Sequence, residues 1–297
     1  MPPRISAILP TLNGAATLPA LLRALGRAAA LSSLEIVAID SGSRDGTLEL
    51  LRGAGATVLD LGGRAFGHAS ARNRAASHAR GGVLLFLTQD VEPAGDGWIE
   101  PLLRALEDPG VAGAFGRQVP LGASPEEAFL VNTNYGEHPR RLTGAALLAP
   151  FGPGATFFST AFGAMRRTAW ERFPFPDVVM SEDQAWGRAV LAAGLSIHYV
   201  PEAAVYHGHR LSLRRAFRRN FDSGSSLREL GLSGGMWSAG IAHLARELVW
   251  IAREHGAQRV PRALLYEAVR MTGFQCGRLE RLLPRALARR LGEAPRP

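Results

Sequence analysis

Apolar residues fall into short runs along the first 120 positions, and a polar cluster closes each run. Residues 5–9 form one such run, ended by Pro10, and residues 35–40 (Glu-Ile-Val-Ala-Ile-Asp) form a second that ends on Asp40. Residues 57–60 are a third strand candidate. Residues 83–87 (Val-Leu-Leu-Phe-Leu) are a fourth, with no polar alternation at all. Between them lie stretches of helical composition: 15–30, rich in Ala and Leu with Asn13 placed as a cap, then 45–52 and 69–79. Apolar strands alternating with helices predict an α/β fold with a mostly parallel sheet covered on both faces. In such sheets a ligand lies beyond the carboxyl ends of the strands. Thr11 and Asn13, Asp40 and Ser41, and Gln89 and Asp90 all fall at those ends.

The later part of the chain reads differently. Ser124-Pro-Glu-Glu127 starts a helix with a cap and a proline in its first turn. Ser181-Glu-Asp-Gln184 starts another, running to about residue 193, and strand-like residues 196–200 and 204–206 follow. Residues 142–165 carry no charge and are long enough to span a membrane, but Pro150, Pro153 and four glycines break them into a loop and a buried strand. After Ser212 the pattern is helical. Trp237, Ile241, Leu244, Leu248 and Ile251 recur at helical spacing and predict one buried face. Residues 261–281 and 284–291 read as two more helices with Arg-rich outer faces. The chain therefore divides into a unit at 1–210 and a helical extension at 211–297.

Composition narrows the class. The 297 residues are 46% hydrophobic and 20% charged, which supports a packed core and excludes disorder as the main state. Cys276 has no second cysteine to pair with, so a disulfide scaffold is excluded and a reducing cytoplasm suits the chain. No signal-peptide core precedes the first strand. The net charge is +8, and no basic residue is Lys. Residues 1–207 hold 17 Arg against 19 acidic residues, whereas residues 208–297 hold 17 Arg against 7. The basic character thus belongs to the final third and favours an anionic partner there, although a GC-rich genome would produce the same arginines. That third has no aromatic-plus-basic RNA signature and no DNA-reading motif, so nucleic acid is the lesser expectation.

Each polar cluster has a chemical reading and a structural one. Pro10-Thr-Leu-Asn13 with Asp40-Ser-Gly-Ser43 offers an acceptor and exposed backbone N–H groups for a base, ribose or phosphate; the same residues also describe a strand end and a glycine turn. Gln89-Asp90 places a carboxylate where Mg²⁺ or Mn²⁺ shared with a diphosphate would sit, or where a turn needs a cap. Glu182 and Asp183 are adjacent acids, one of which could serve as a general base, yet a helix start favours acids at the same place. His207 and His209 follow a strand at spacing two, suiting a metal site with Asp90 or an ordinary surface. Arg72 and Asn73 open a helix after Gly67, where an Arg could meet a diphosphate or merely face solvent.

Together and in this order, these motifs resemble the GT-A glycosyltransferases of family 2, and in detail their rhamnosyltransferase-like branch. The resemblance is carried by Pro10-Thr-Leu-Asn13, Asp40-Ser-Gly-Ser-x-Asp-Gly-Thr47, Phe66-Gly-His-x3-Arg-Asn73, Phe86-Leu-Thr-Gln-Asp90, Ser181-Glu-Asp-Gln-x-Trp186, Val205-Tyr-His-Gly-His209, Phe217-Arg-Arg-Asn-Phe-Asp-Ser-Gly224 and Gly273-x3-Gly-Arg-x3-Leu-Leu-Pro284. It implies an inverting transfer of one sugar, rhamnose from dTDP-rhamnose, or another sugar from a UDP- or GDP-donor, to a glycan or polyprenyl-linked acceptor hydroxyl. It implies that Pro10, Thr11, Asn13, Asp40 and Ser41 hold the nucleoside, with Gln89 beside them, that Arg72 and Asn73 lie near the diphosphate, and that Asp90 and His207 hold Mg²⁺ or Mn²⁺. Asp183 would be the base, supported by Glu182. Thr88 stands where the family's Asp-x-Asp has its first Asp, Gly67 stands where the branch commonly has Asn, and the Gln-x-x-Arg-Trp of processive polymerases is absent. The basic helices would rest peripherally on the inner face of the cell membrane. They could also pair two chains into a homodimer. A nucleic-acid binder and a non-catalytic sugar-nucleotide sensor are the alternatives from other classes.

Overall fold

The computed structural model describes residues 4–31, 33–61, 66–149, 155–232 and 236–294. In chain order its elements are β1 (Ile5–Thr11), α1 (Leu18–Leu31), β2 (Leu34–Asp40), α2 (Thr47–Gly53), β3 (Thr57–Asp60), α3 (His68–His78), β4 (Val83–Leu87), β5 (Glu92–Pro93), α4 (Glu100–Ala105), β6 (Val111–Val119), α5 (Pro125–Asn134), β7 (Arg140–Leu142), β8 (Phe162–Arg166), α6 (Arg167–Arg172), α7 (Glu182–Ala192), β9 (Ser196–Tyr206), α8 (Leu213–Glu229), α9 (Met236–His255), α10 (Val260–Arg278) and α11 (Arg285–Leu291). The described strands form one sheet in the order β3-β2-β1-β4-β8-β6-β9-β5, with β7 on β9. β3, β2, β1 and β4 run parallel. β8 runs antiparallel between β4 and β6, and β6 and β9 are parallel again. The sheet is thus parallel through the four strands read from the apolar runs and mixed beyond them.

Burial on both faces explains why those runs lack alternation. Ile5, Ala7 and Leu9 of β1 pack with Leu18, Leu21 and Leu25 of α1, while Ile8 faces Ala71 and Ala75 of α3. In β4, Leu85 and Leu87 join the first layer and Leu84 and Phe86 the second. α1 begins at Leu18 rather than at residue 15, because Pro19 lacks an N–H and is tolerated only in a first turn. Asn13 is therefore not the helix cap.

The C-terminal helices are fastened to this sheet domain. Leu227, Leu232 and Phe274 share a core with Phe157, Phe158 and Trp186. α8 and α10 cross on glycines: a Cβ on Gly277 would run into the Phe221 carbonyl, and one on Gly273 into that of Phe217. Buried Asp222 of α8 accepts the amides of Glu293 and Ala294 at 2.8 and 2.9 Å, pinning the chain's end. The apolar stripe expected on α9 is met in part: Ile251 is buried and Leu244 and Leu248 are half-buried, but Ile241 is 71% exposed, and His243 and Glu247 are buried beside the stripe. The side chain of Trp237, and Pro150 and Pro153, lie outside the described residues. Among the described residues no helix is long and apolar enough to cross a membrane.

Candidate active site

Three loops at the carboxyl ends of β1, β2 and β4 form one unit. Asp40 closes β2 and is 3% exposed. Its Oδ2 accepts from the hydroxyls of Thr11 (2.8 Å) and Ser43 (2.6 Å), and its Oδ1 from the amides of Gly42 (2.9 Å) and Ser43 (2.8 Å). Burial alone would raise its pKa, but these donors outweigh it and hold the carboxylate below its usual range. All four acceptor positions are filled by the protein, so Asp40 shapes the loop after β2 rather than offering a free oxygen. Pro10, next to Thr11, pairs with Ile39 in the strand register, and the Ser41 amide donates to the Thr11 carbonyl at 2.9 Å. Asn13 sits at φ 48, its amide on Ser43 Oγ (2.8 Å) and its Oδ1 accepting the Arg44 amide (3.0 Å). Gln89 ties the third loop in by bonding both the N–H and the carbonyl of Leu12 at 2.9 Å.

The next position, Asp90, meets two imidazoles. Its oxygens lie 3.5 Å from His207 Nε2 and 3.9 Å from His209 Nδ1. The three ligand atoms lie within 4.8 Å of one another. Metal–ligand bonds of about 2.1 Å put neighbouring ligands roughly 3 Å apart, so little closing is needed to hold an ion. The second shell agrees. Gln118 Nε2 donates to Ser159 Oγ at 3.0 Å, which turns Oε1 onto His207 Nδ1 at 2.7 Å and leaves Nε2 free as a ligand. Burial raises the Asp90 pKa, but the hydrogen bond and charge of His207 and the charge of His209 overcome it and hold the carboxyl well below its usual range. His209 is pushed down to about 4 by burial, by His207 and by Arg219, so it is neutral, as a ligand must be. These residues fit a divalent metal.

The adjacent acids of α7 part ways. Ser181 holds the cap position in the left-handed region at φ 66 and makes no side-chain cap bond; the capping box is not formed. Gln184 instead reaches across to the Phe157 amide (2.9 Å) and the Phe158 carbonyl (2.6 Å). Glu182 is 4% exposed and bonds Arg72 Nη1 at 2.6 Å. Arg72 is equally buried, so this pair is a buried strut between α3 and α7 and neither partner offers a free face to a ligand. Asn73 is also committed elsewhere, to the Phe175 carbonyl (2.8 Å) and to Trp170 Nε1 (2.9 Å). Asp183 is the less buried residue of the acid pair. Its Oδ2 accepts the Thr160 amide at 3.2 Å and its Oδ1 the Gln184 amide at 2.8 Å. Burial and then the Glu182 charge push its pKa from 3.8 up to about 6, against the pull of those amides and of Arg72.

Asp90 and Asp183 are joined by a short relay of side chains. The chain of bonds from Asp90 through His207, Gln118 and Ser159 ends one residue from Thr160, which holds Asp183. The Thr88 amide donates to Ala161 at 3.2 Å and locks that segment to the end of β4. Beside this relay lies a crevice of about 430 Å³ whose lining includes Gln118, Ser181, Gln184, His207, His209 and Arg219.

These features agree with what the chain matches among known proteins. Residues 6–173, more than half of the chain, match the profile of Glycosyl transferase family 2. The chain belongs to this family. It is a glycosyltransferase, similar over nearly its whole length to the O-antigen chain rhamnosyltransferase RfbN of Salmonella typhimurium, with 29% identity over 96% of this chain and 93% of that one. Its fold is shared with the mannosyltransferase PcManGT of Pyrobaculum calidifontis, solved with GDP-Man and Mn²⁺ (TM-score 0.53, 18% identity, 98% of this chain and 79% of that one). It is shared too with residues 1–349 of S. aureus TarS, solved with UDP-GlcNAc (TM-score 0.57, 15% identity, 94% of this chain and 91% of that one).

His209, weighed with His207 from the sequence, joins Asp90 and His207 in one cluster. Other side chains of the glycosyltransferase site escaped the sequence reading. Gln118, which nothing in β6 marked, orients His207. His68 lies beside Arg72, with its pKa driven down to about 4 by burial, by Arg72 and by Arg219. Arg219 lines the crevice from α8, within a motif quoted for the resemblance but given no role.

Proposed function

We propose that this glycosyltransferase is inverting and moves a single rhamnose from dTDP-rhamnose to a hydroxyl of a glycan or polyprenyl-linked acceptor. Its similarity to the rhamnosyltransferase RfbN supports the choice of sugar. The observation that carries the chemistry is Asp183, a partly buried carboxyl with a raised pKa, linked by a short chain of hydrogen bonds to Asp90, His207 and His209. A base works best when its pKa approaches the working pH. The acceptor O–H gives its proton to Asp183 as the oxygen attacks the anomeric carbon. The bond from that carbon to the diphosphate breaks on the opposite face, taking the electron pair, and configuration inverts. Glu182 and Arg72 position the base, and the loops at Thr11, Asn13 and Asp40 cradle the nucleoside. Mn²⁺ or Mg²⁺ bound at Asp90, His207 and His209 supplies positive charge against the departing diphosphate; two imidazoles favour Mn²⁺ over the oxygen-seeking Mg²⁺.

The Arg-rich helices support a cytoplasmic placement against an anionic membrane face, since Leu279, Leu282 and Leu287 stand exposed beside them. A panel of dTDP-, UDP- and GDP-sugars with Mn²⁺, read by thermal shift and transfer, tests the donor. The dTDP-sugar is expected to bind and react, and preference for UDP- or GDP-sugars replaces the donor. Asp183→Asn is expected to lower transfer by about a hundredfold or more while donor affinity is kept. Unchanged transfer would overturn the reading.

A further inference from the structure

The crevice continues past the metal cluster into a wall that the reaction does not yet use. Thr11, Asn13 and Asp40 do not line the crevice. This wall comes from α5, α9 and α10: Glu127, His243, Glu267 and Arg270. His243 is 5% exposed, and among the described residues neither of its ring nitrogens has a hydrogen-bond partner. One face of its ring packs against Phe129 at 5.1 Å between centroids. Burial and the nearby charges of Arg270 and Arg246 keep the imidazole neutral, with one donor and one acceptor to offer. Glu127 is bonded by the Tyr266 hydroxyl, and Glu267 by Arg270 Nη1 at 2.6 Å, so their orientations are fixed. A buried imidazole with both nitrogens unsatisfied on a crevice wall is a costly arrangement unless a ligand completes it.

The charges of this wall say what the ligand is. Two carboxylates line it with one arginine, which is already paired, so an anion is repelled. A wholly apolar ligand would leave both nitrogens of His243 unpaired. What fits is a neutral molecule with several hydroxyls on a ring: O–H groups donate to the carboxylates and accept from the imidazole and the guanidinium. The opposite end, with Arg219 beside His209, has the cationic character suited to a diphosphate. We infer that His243, Glu127, Glu267 and Arg270 form the subsite that holds a neutral sugar ring of the acceptor. This rests on the transferase reading and deepens it: the acceptor presents an uncharged saccharide to Asp183.

The test is saturation-transfer NMR on the whole chain with Mn²⁺ and dTDP present, using methyl hexosides as neutral probes and methyl glucuronide as the acidic one. Neutral methyl hexosides are expected to bind at least about tenfold more tightly than the glucuronide. His243→Leu and Glu267→Gln are each expected to weaken hexoside binding by about tenfold, the loss of a hydrogen bond to a buried or charged group, while dTDP affinity stays unchanged. Equal binding of the acidic probe, no binding of the hexosides to the parent, or hexoside binding unaffected by the folded Glu267→Gln variant would each overturn the assignment. Failure of every nucleotide sugar to bind the parent would instead remove the transferase reading.

Discussion

At the residue scale the account turns on the different fates of neighbouring acids. Glu182 is spent on Arg72, and Asp183 is left with a raised pKa. Transfer at saturating donor should therefore rise with pH through about 6 and level off above it, because only ionised Asp183 accepts the proton. Glu182→Gln removes the charge that most directly opposes that ionisation and frees the Arg72 charge to favour it. Both effects move the acidic limb of the profile to lower pH. The same change leaves a guanidinium buried without its partner and should cost about 3–5 kcal/mol in urea unfolding. An unmoved limb would detach Glu182 from the base. Asp40, Asp90 and Asp183 could be picked out in the chain because each closes a strand or opens a helix. The Arg72–Glu182 strut could not, since its partners lie 110 positions apart and the pairing exists only once α3 and α7 are packed.

At the element scale the strands that were legible were those buried on both faces. β6 was hidden by Gly113 and Gly116, which interrupt its apolar run. The fold explains them: a Cβ on Gly113 would sit 2.8 Å from Trp186, and one on Gly116 would strike Phe162. Helical glycines carry the same message in the C-terminal third. Gly277→Leu must push α10 off the Phe221 carbonyl and is expected to cost roughly 3 kcal/mol or more. Gly26→Ala on the exposed face of α1 meets nothing within 4 Å and should stabilise by about 0.5–1 kcal/mol. Thermal unfolding of the two variants checks the contrast, and equal effects would contradict the close crossing. The stripe on α9 shows the limit of periodicity: Ile251 is buried and Leu244 and Leu248 half-buried as helical spacing predicts, but α9 also turns His243 and Glu247 inward, where Phe129 packs on the imidazole.

At the scale of the whole molecule, charge and crevice share one design. The sheet domain is nearly neutral, while residues 208–297 carry 17 Arg against 7 acidic residues. Each Arg near an anionic leaflet is worth about 1 kcal/mol, so flotation with phosphatidylglycerol vesicles, absent with neutral ones and reversed by salt, is the expected outcome. Equal behaviour with both lipids would assign the arginines to the solvated exterior alone. The same helices wall the crevice, which is why the acceptor side could not be read from the transferase motifs: its residues come from remote helices that meet only in the fold. The most direct measurement is the anomalous diffraction of a crystal grown with Mn²⁺ and dTDP-rhamnose. A manganese peak among Asp90, His207 and His209, with the anomeric carbon on the Asp183 side, is the predicted result. A peak elsewhere, or a sugar turned away from Asp183, would contradict it.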